Sequence, residues 1–103
     1  MPSVAIQVSR FVDEHQPGFV ECVLIDAAGK AHVFVEKAPV VSNENLWSRS
    51  SYPRPGSIAC EVIARWSDEN GQALARVNTE RPWGVESSEG LAEFVVPASA
   101  VTA

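Results

Sequence analysis

The sequence predicts an all-β fold: a small antiparallel barrel or sandwich of about six strands, with two hairpins and at most one short helical turn. Three observations carry this. Apolar residues recur with period two in several blocks, two connections share an Asp-x-x-Gly pattern, and no stretch has the 3.6-residue period of a helix of three turns. Six strands in a chain this short must hide their edges, so closure into a compact barrel is the expected form, with a two-sheet sandwich as the alternative.

The strand blocks follow in order. Val4, Ile6 and Val8 alternate with Ala5, Gln7 and Ser9, as in a half-buried strand. Residues 19–25 are nearly continuously apolar, broken by Glu21, and residues 31–35 follow after Asp26-Ala27-Ala28-Gly29-Lys30. Residues 58–66 alternate Ile58, Cys60, Val62, Ala64 and Trp66 against Ala59, Glu61, Ile63 and Arg65, with Trp66 expected in the core. Residues 73–79 follow after Asp68-Glu69-Asn70-Gly71-Gln72, and residues 91–96 end the set. In each connection the Asp carboxylate can accept backbone N–H groups, and the Gly three residues on can take the left-handed conformation of a three-residue hairpin loop. The turns are 42 residues apart, and the same offset aligns Val20 with Val62 and Val35 with Val77, the pattern a duplicated hairpin would leave. The short connections require antiparallel order.

Between the hairpins the composition changes. Ser42-Asn43-Glu44 is a helix-start signal for one turn through Trp47, and Pro53 and Pro55 forbid its continuation, so residues 48–56 read as a loop. A second loop, Glu80-Arg81-Pro82-Trp83-Gly84, precedes Val85 and a polar run. The tail, residues 97–103, is small and weakly apolar and is expected to fray.

The chain has 103 residues, 46% of them hydrophobic and 20% charged, with a net charge of −5. It forms one domain, residues 1–103, and a domain of this size buries roughly 65% of the surface of its unfolded chain. Phosphate backbones and anionic membranes are bound by clustered Lys and Arg, whereas the basic residues here are scattered. Nucleic acid and membrane are therefore not expected partners. The acidic balance serves solubility and steers towards a basic partner. Residues 1–10 lack the apolar run of a signal peptide and no stretch reaches the length of a transmembrane helix, so the expected location is the cytoplasm. Thiols stay reduced there, and Cys22 and Cys60 are read as free, buried and structural.

Three stretches carry a resemblance: Val33-Phe34-Val35-Glu36-Lys37-Ala38-Pro39-Val40-Val41, Ser51-Tyr52-Pro53-Arg54-Pro55-Gly56, and Arg81-Pro82-Trp83-Gly84-Val85-Glu86-Ser87. Together they resemble small standalone bacterial proteins left uncharacterised. The resemblance implies a free-standing protein and assigns no activity and no site.

Catalytic chemistry has little to stand on. A thiol nucleophile needs a base beside it; the candidates are Cys22 or Cys60 with His32 and Glu21, Glu36 or Glu61. Pairing across the first hairpin sets Cys22 opposite Phe34 and Leu24 opposite His32, so Cys22 and His32 share a face at diagonal distance. Metal binding lacks ligand spacing, since His15 and His32 are the only histidines and no Cys-x-x-Cys occurs. Asp13 and Glu14 are the remaining candidates for a hard cation. Neither phosphate-cradling glycines nor paired glycosidase carboxylates are present, so no cofactor, metal or catalytic residue is assigned.

The loops hold the clearest signal. Trp47, Arg49, Tyr52 and Arg54 lie in or beside the first, Arg81 and Trp83 in the second. Trp, Tyr and Arg dominate binding hot spots, and prolines lower the ordering cost of engaging a partner. The competing reading is that the aromatics fold back and plug the barrel ends. The function expected is a non-enzymatic protein-interaction module using residues 47–56 and 80–86. One concrete form is an immunity-like protein that neutralises a basic toxin. The alternative is a small-molecule-binding or hydrolytic barrel with a pocket near Cys22, His32 and Glu36. The oligomeric state is left open.

Overall fold

The computed structural model describes residues 1–44 and 46–103. Its strands are β1 (Ser3–Asp13), β2 (Phe19–Ile25), β3 (Ala31–Lys37), β4 (Arg54–Ala59), β5 (Glu61–Ser67), β6 (Ala73–Asn78), β7 (Glu93–Pro97) and β8 (Val101–Thr102), with one helical turn, α1 (Ala38–Val41). All pairings are antiparallel. The predicted register of the first hairpin holds: Cys22 pairs with Phe34 and Leu24 with His32. Among the described residues the strands form two open sheets rather than a closed barrel, one in the order β3-β2-β1-β4 with β8 beside the start of β1, the other β5-β6-β7.

The sheets share one core because each offers it a period-two face. Val4, Ile6 and Val8 of β1, Val20, Cys22 and Leu24 of β2, and Phe34 of β3 meet Ala75 and Val77 of β6 and Phe94 and Val96 of β7. Phe94 stands edge-on to Phe34 at 5.6 Å and to His32 at 4.9 Å between ring centroids. Such edge-to-face packing adds to the area buried.

The hairpin turns form as their composition dictates. Asp26 Oδ1 accepts the N–H groups of Ala28 and Lys30, both at 2.9 Å, and Asp68 Oδ1 accepts those of Asn70 and Gln72 at the same distance. Gly29 and Gly71 take φ of +83° and +79°. A third copy escaped the reading of the sequence. Ser87 Oγ accepts from Glu89 and Leu91, the Gly90 N–H donates to the Ser87 carbonyl, and Gly90 has φ +81°. A serine hydroxyl supplies the same acceptor more weakly than a carboxylate.

Five expectations are corrected. The block at residues 58–66 is two strands: the chain passes from one sheet to the other at buried Cys60, whose N–H donates to the Pro2 carbonyl. β4 also reaches back through Arg54 and Pro55, since an edge strand has a row of N–H groups with no ladder partner and admits proline. The helical turn is Ala38–Val41, with Pro39 in its first turn. Ser42 closes it by donating its N–H to the Ala38 carbonyl, and its hydroxyl accepts the Glu44 N–H at 3.1 Å, but residues 42–44 and 46–47 form no helical turn; Asn45, within the expected turn, lies outside the described residues. The tail does not fray: Ala98–Ala100 make a 3-10 turn, and β8 pairs Val101 with Val4 and Thr102 with Ser3. Finally, Trp66 is 38% exposed on the outer face of its sheet, where the Arg76 guanidinium lies 5.7 Å over its ring.

Candidate functional site

The loop at residues 79–86 is held from below. Thr79 is fully buried; its hydroxyl donates to the Val85 carbonyl at 2.8 Å and lies 3.2 Å from that of Ala92. Its backbone N–H donates to Ala92 and its carbonyl accepts from Val85. With both ends fixed on one buried residue, the intervening segment closes through the Gly84 N–H to the Glu80 carbonyl. Arg81, Pro82 and Trp83 are thereby turned outward, and Trp83 is 65% exposed.

The other loop is built around Trp47. Its N–H donates to Ser50 Oγ at 2.9 Å and its carbonyl accepts the Tyr52 hydroxyl at 2.7 Å. Leu46, buried, and Tyr52, packed against the core, anchor the segment on either side, so the Trp47 ring is left 65% exposed. The Arg54 guanidinium pairs with Glu44 at 2.6 Å, while Arg49 is exposed.

Neither exposed tryptophan plugs the fold. Each stands on the rim of a cleft, and the two clefts share Pro39 of α1. Trp47 lines one of about 430 Å³ with Phe11, Gly18 and Leu46. Trp83 lines one of about 510 Å³ with Val40, Asn43 and Ser57. A third, of about 670 Å³, lies between Arg81 and Pro82 on one side and Pro2, Cys60 and Val62 on the other. The six residues named from the sequence thus divide. Trp47, Arg49, Arg81 and Trp83 are exposed, whereas Tyr52 and Arg54 are half-buried, Tyr52 bonded to the Trp47 carbonyl and Arg54 paired with Glu44. Reading the sequence missed Pro39 and Phe11. The available signal was Pro39 among apolar neighbours, where α1 lies so close on β4 that a Cβ on Gly56 would stand 2.7 Å from the Val41 carbonyl.

Cys22, His32 and Glu36 lie apart from these clefts. Cys22 and His32 face the core, Glu36 is half-buried, and none of the three lines any of these clefts. Burial, with Glu36 and Glu21 adding repulsion, pushes the Cys22 thiol up to about 12, and burial raises Cys60 as well. Both remain thiols at neutral pH and are poor nucleophiles. His32 is 5% exposed; its Nε2 lies 2.8 Å from Asp26 Oδ2, and its Nδ1 has no hydrogen-bond partner among the described residues. Among them no group of His, Cys, Asp and Glu side chains converges as a metal site, and no helix is long and apolar enough to cross a membrane.

Comparison of the chain with protein-family models, with curated proteins and with solved structures finds no match.

Proposed function

We propose that this chain is a non-enzymatic protein-binding module. It takes hold of its partner through the loops at residues 47–56 and 80–86 and the α1 turn between their clefts. The observation that carries this reading is the pair Trp47 and Trp83, each 65% exposed although its loop is hydrogen-bonded in place. Large aromatics on pre-ordered loops give binding area at low entropic cost. Arg49 and Arg81 add donors beside them, and the net charge of −5 favours a basic protein partner over nucleic acid or an anionic membrane. An immunity-like role, masking a basic toxin, fits that chemistry.

The test uses Trp47→Ala and Trp83→Ala, immobilised beside the parent protein and exposed to native cell lysate. Each substitution is expected to weaken capture of the principal partner by about 2 kcal/mol or more, as for hot-spot truncations. Melting should move little, because these rings bury a minor part of their surface. Unchanged capture by both variants would overturn the reading.

A further inference from the structure

Backbone bonds from elsewhere in the chain reach two of the outer strands of the two sheets. The Ser88 N–H donates to the Val33 carbonyl on β3, and the Ala27 N–H donates to the Val95 carbonyl on β7. On β4, α1 packs over the inner face, where the Val41 carbonyl leaves no room for a Cβ on Gly56. The outer strand β5 has β6 as its only paired neighbour among the described residues. Along β5 every residue but Val62 is exposed, Ile63 by 47% and Trp66 by 38%.

The direction of the free backbone groups follows from the turn. Asp68 and Gln72 are a hydrogen-bonded pair, with the Asp68 N–H donating to the Gln72 carbonyl at 2.9 Å. Hydrogen-bonded and open pairs alternate along an antiparallel ladder, so Trp66–Leu74 is bonded while Ser67–Ala73 and Arg65–Ala75 are open. The N–H and C=O groups of Arg65 and Ser67 therefore point away from β6. At Ile63 a bulge interrupts the ladder between Val62 and Ala64. Bulges end pairing on exposed edges, which confines the available edge to residues 64–67.

We infer that β5 is a self-association edge: two copies of this chain pair their β5 strands antiparallel about a two-fold axis at Trp66, joining two three-stranded sheets into one. In that register Arg65 of each copy exchanges backbone hydrogen bonds with Ser67 of the other, and the two Trp66 rings oppose each other. Charge favours this occupant. Arg65 then stands opposite Ser67 of the second copy, beside the acidic Asp68-Glu69 turn that follows it, so the arginine of each copy adjoins the acidic turn of its neighbour. The assembly closes at two chains, since a two-fold contact uses the same patch on both copies and leaves neither β5 edge free.

Sedimentation of the full chain from low micromolar to millimolar concentration is expected to show reversible dimerisation. Arg65→Glu and Glu69→Arg, both at exposed positions, should each weaken the self-dimer about tenfold by setting like charges opposite. An equimolar mixture of the two variants should restore association, because the mixed pair recovers both attractions. Trp66→Cys should oxidise to a covalent dimer while Cys22 and Cys60 stay buried and unlinked. A single-chain mass throughout the series overturns the inference, as does capture of an added extended peptide by an otherwise monomeric chain, which would assign the edge to a foreign strand. A dimer insensitive to these variants, or not restored by mixing them, also overturns it.

Discussion

Asp26 uses both oxygens of its carboxylate where Asp68, in the same turn, uses one. Oδ1 holds the turn N–H groups in each, but Asp26 Oδ2 also meets the buried His32 ring at 2.8 Å. A turn cap is worth about 1 kcal/mol, and stranding a buried polar group costs about 1–3 kcal/mol. Asp68→Ala should therefore lower stability by about 1 kcal/mol and Asp26→Ala by about 2–4 kcal/mol, the difference being the histidine left without its partner. Denaturant melts of the two variants check this, and equal losses would remove His32 from the account. The pH dependence has a definite sign. The His32 hydrogen bond, assisted by the Lys30 and Ala28 N–H groups, holds the Asp26 carboxyl below its ordinary 3.8. A carboxyl depressed by folding contributes fully above its unfolded value and loses the contribution as pH falls through the folded one. His32→Leu should accordingly shift acid unfolding to higher pH, whereas an unchanged midpoint would show that the pair adds nothing. The turn itself was legible in the sequence because Asp-x-x-Gly chemistry is local. The tie to His32 was not, since it depends on which face of β3 turns inward.

At the scale of elements, β1, the two hairpins and the register of the first follow from period-two patterning and turn chemistry. The errors cluster where tertiary contacts decide. Pro55 and Gly56 look like loop residues, yet the edge position admits the proline, and the close approach of α1 at the Val41 carbonyl requires the glycine. Gly56→Ala should cost about 1–3 kcal/mol as an overpacking change and displace α1 from β4; a melt unchanged from the parent protein would refute the close contact. The candidate site was half legible for the same reason. Composition marked Trp47 and Trp83, but of the residues marked alike Tyr52 is spent on the Trp47 carbonyl and Arg54 on Glu44. Thr79 shows how far a loop can depend on one buried side chain. Thr79→Val keeps the volume and removes the hydroxyl donor to Val85, which should cost about 1–3 kcal/mol. It should also expose residues 80–84 to proteolysis. Resistance equal to that of the parent would mean that the backbone bonds alone fix the loop.

The whole molecule tests whether two sheets joined at Cys60 unfold as one. Phe34 from the five-stranded sheet and Phe94 from the three-stranded sheet pack edge to face, and Ala75, Val77 and Val96 complete a single cluster with β1 and β2. Neither sheet buries its inner face without the other, so opening one exposes both. The sequence carried the strand faces but not this division: the apolar block at residues 58–66 looks like one strand until Cys60 turns the chain between layers. The two free thiols report on the consequence. Cys22 sits in β2 of one sheet and Cys60 at the crossing, both fully buried. In a cooperative unit both become reactive only through global unfolding, with the same apparent free energy. Phe34→Ala should cost about 3–5 kcal/mol as a buried aromatic and accelerate the labelling of both thiols equally. Labelling must be read below the ordinary thiol value of 9.0, because folding raises Cys22 to about 12. That raised value makes its contribution full below 9.0 and lost as pH climbs towards 12. If Cys60 reacts well ahead of Cys22 under native conditions, the crossing opens on its own and the sheets are separable units.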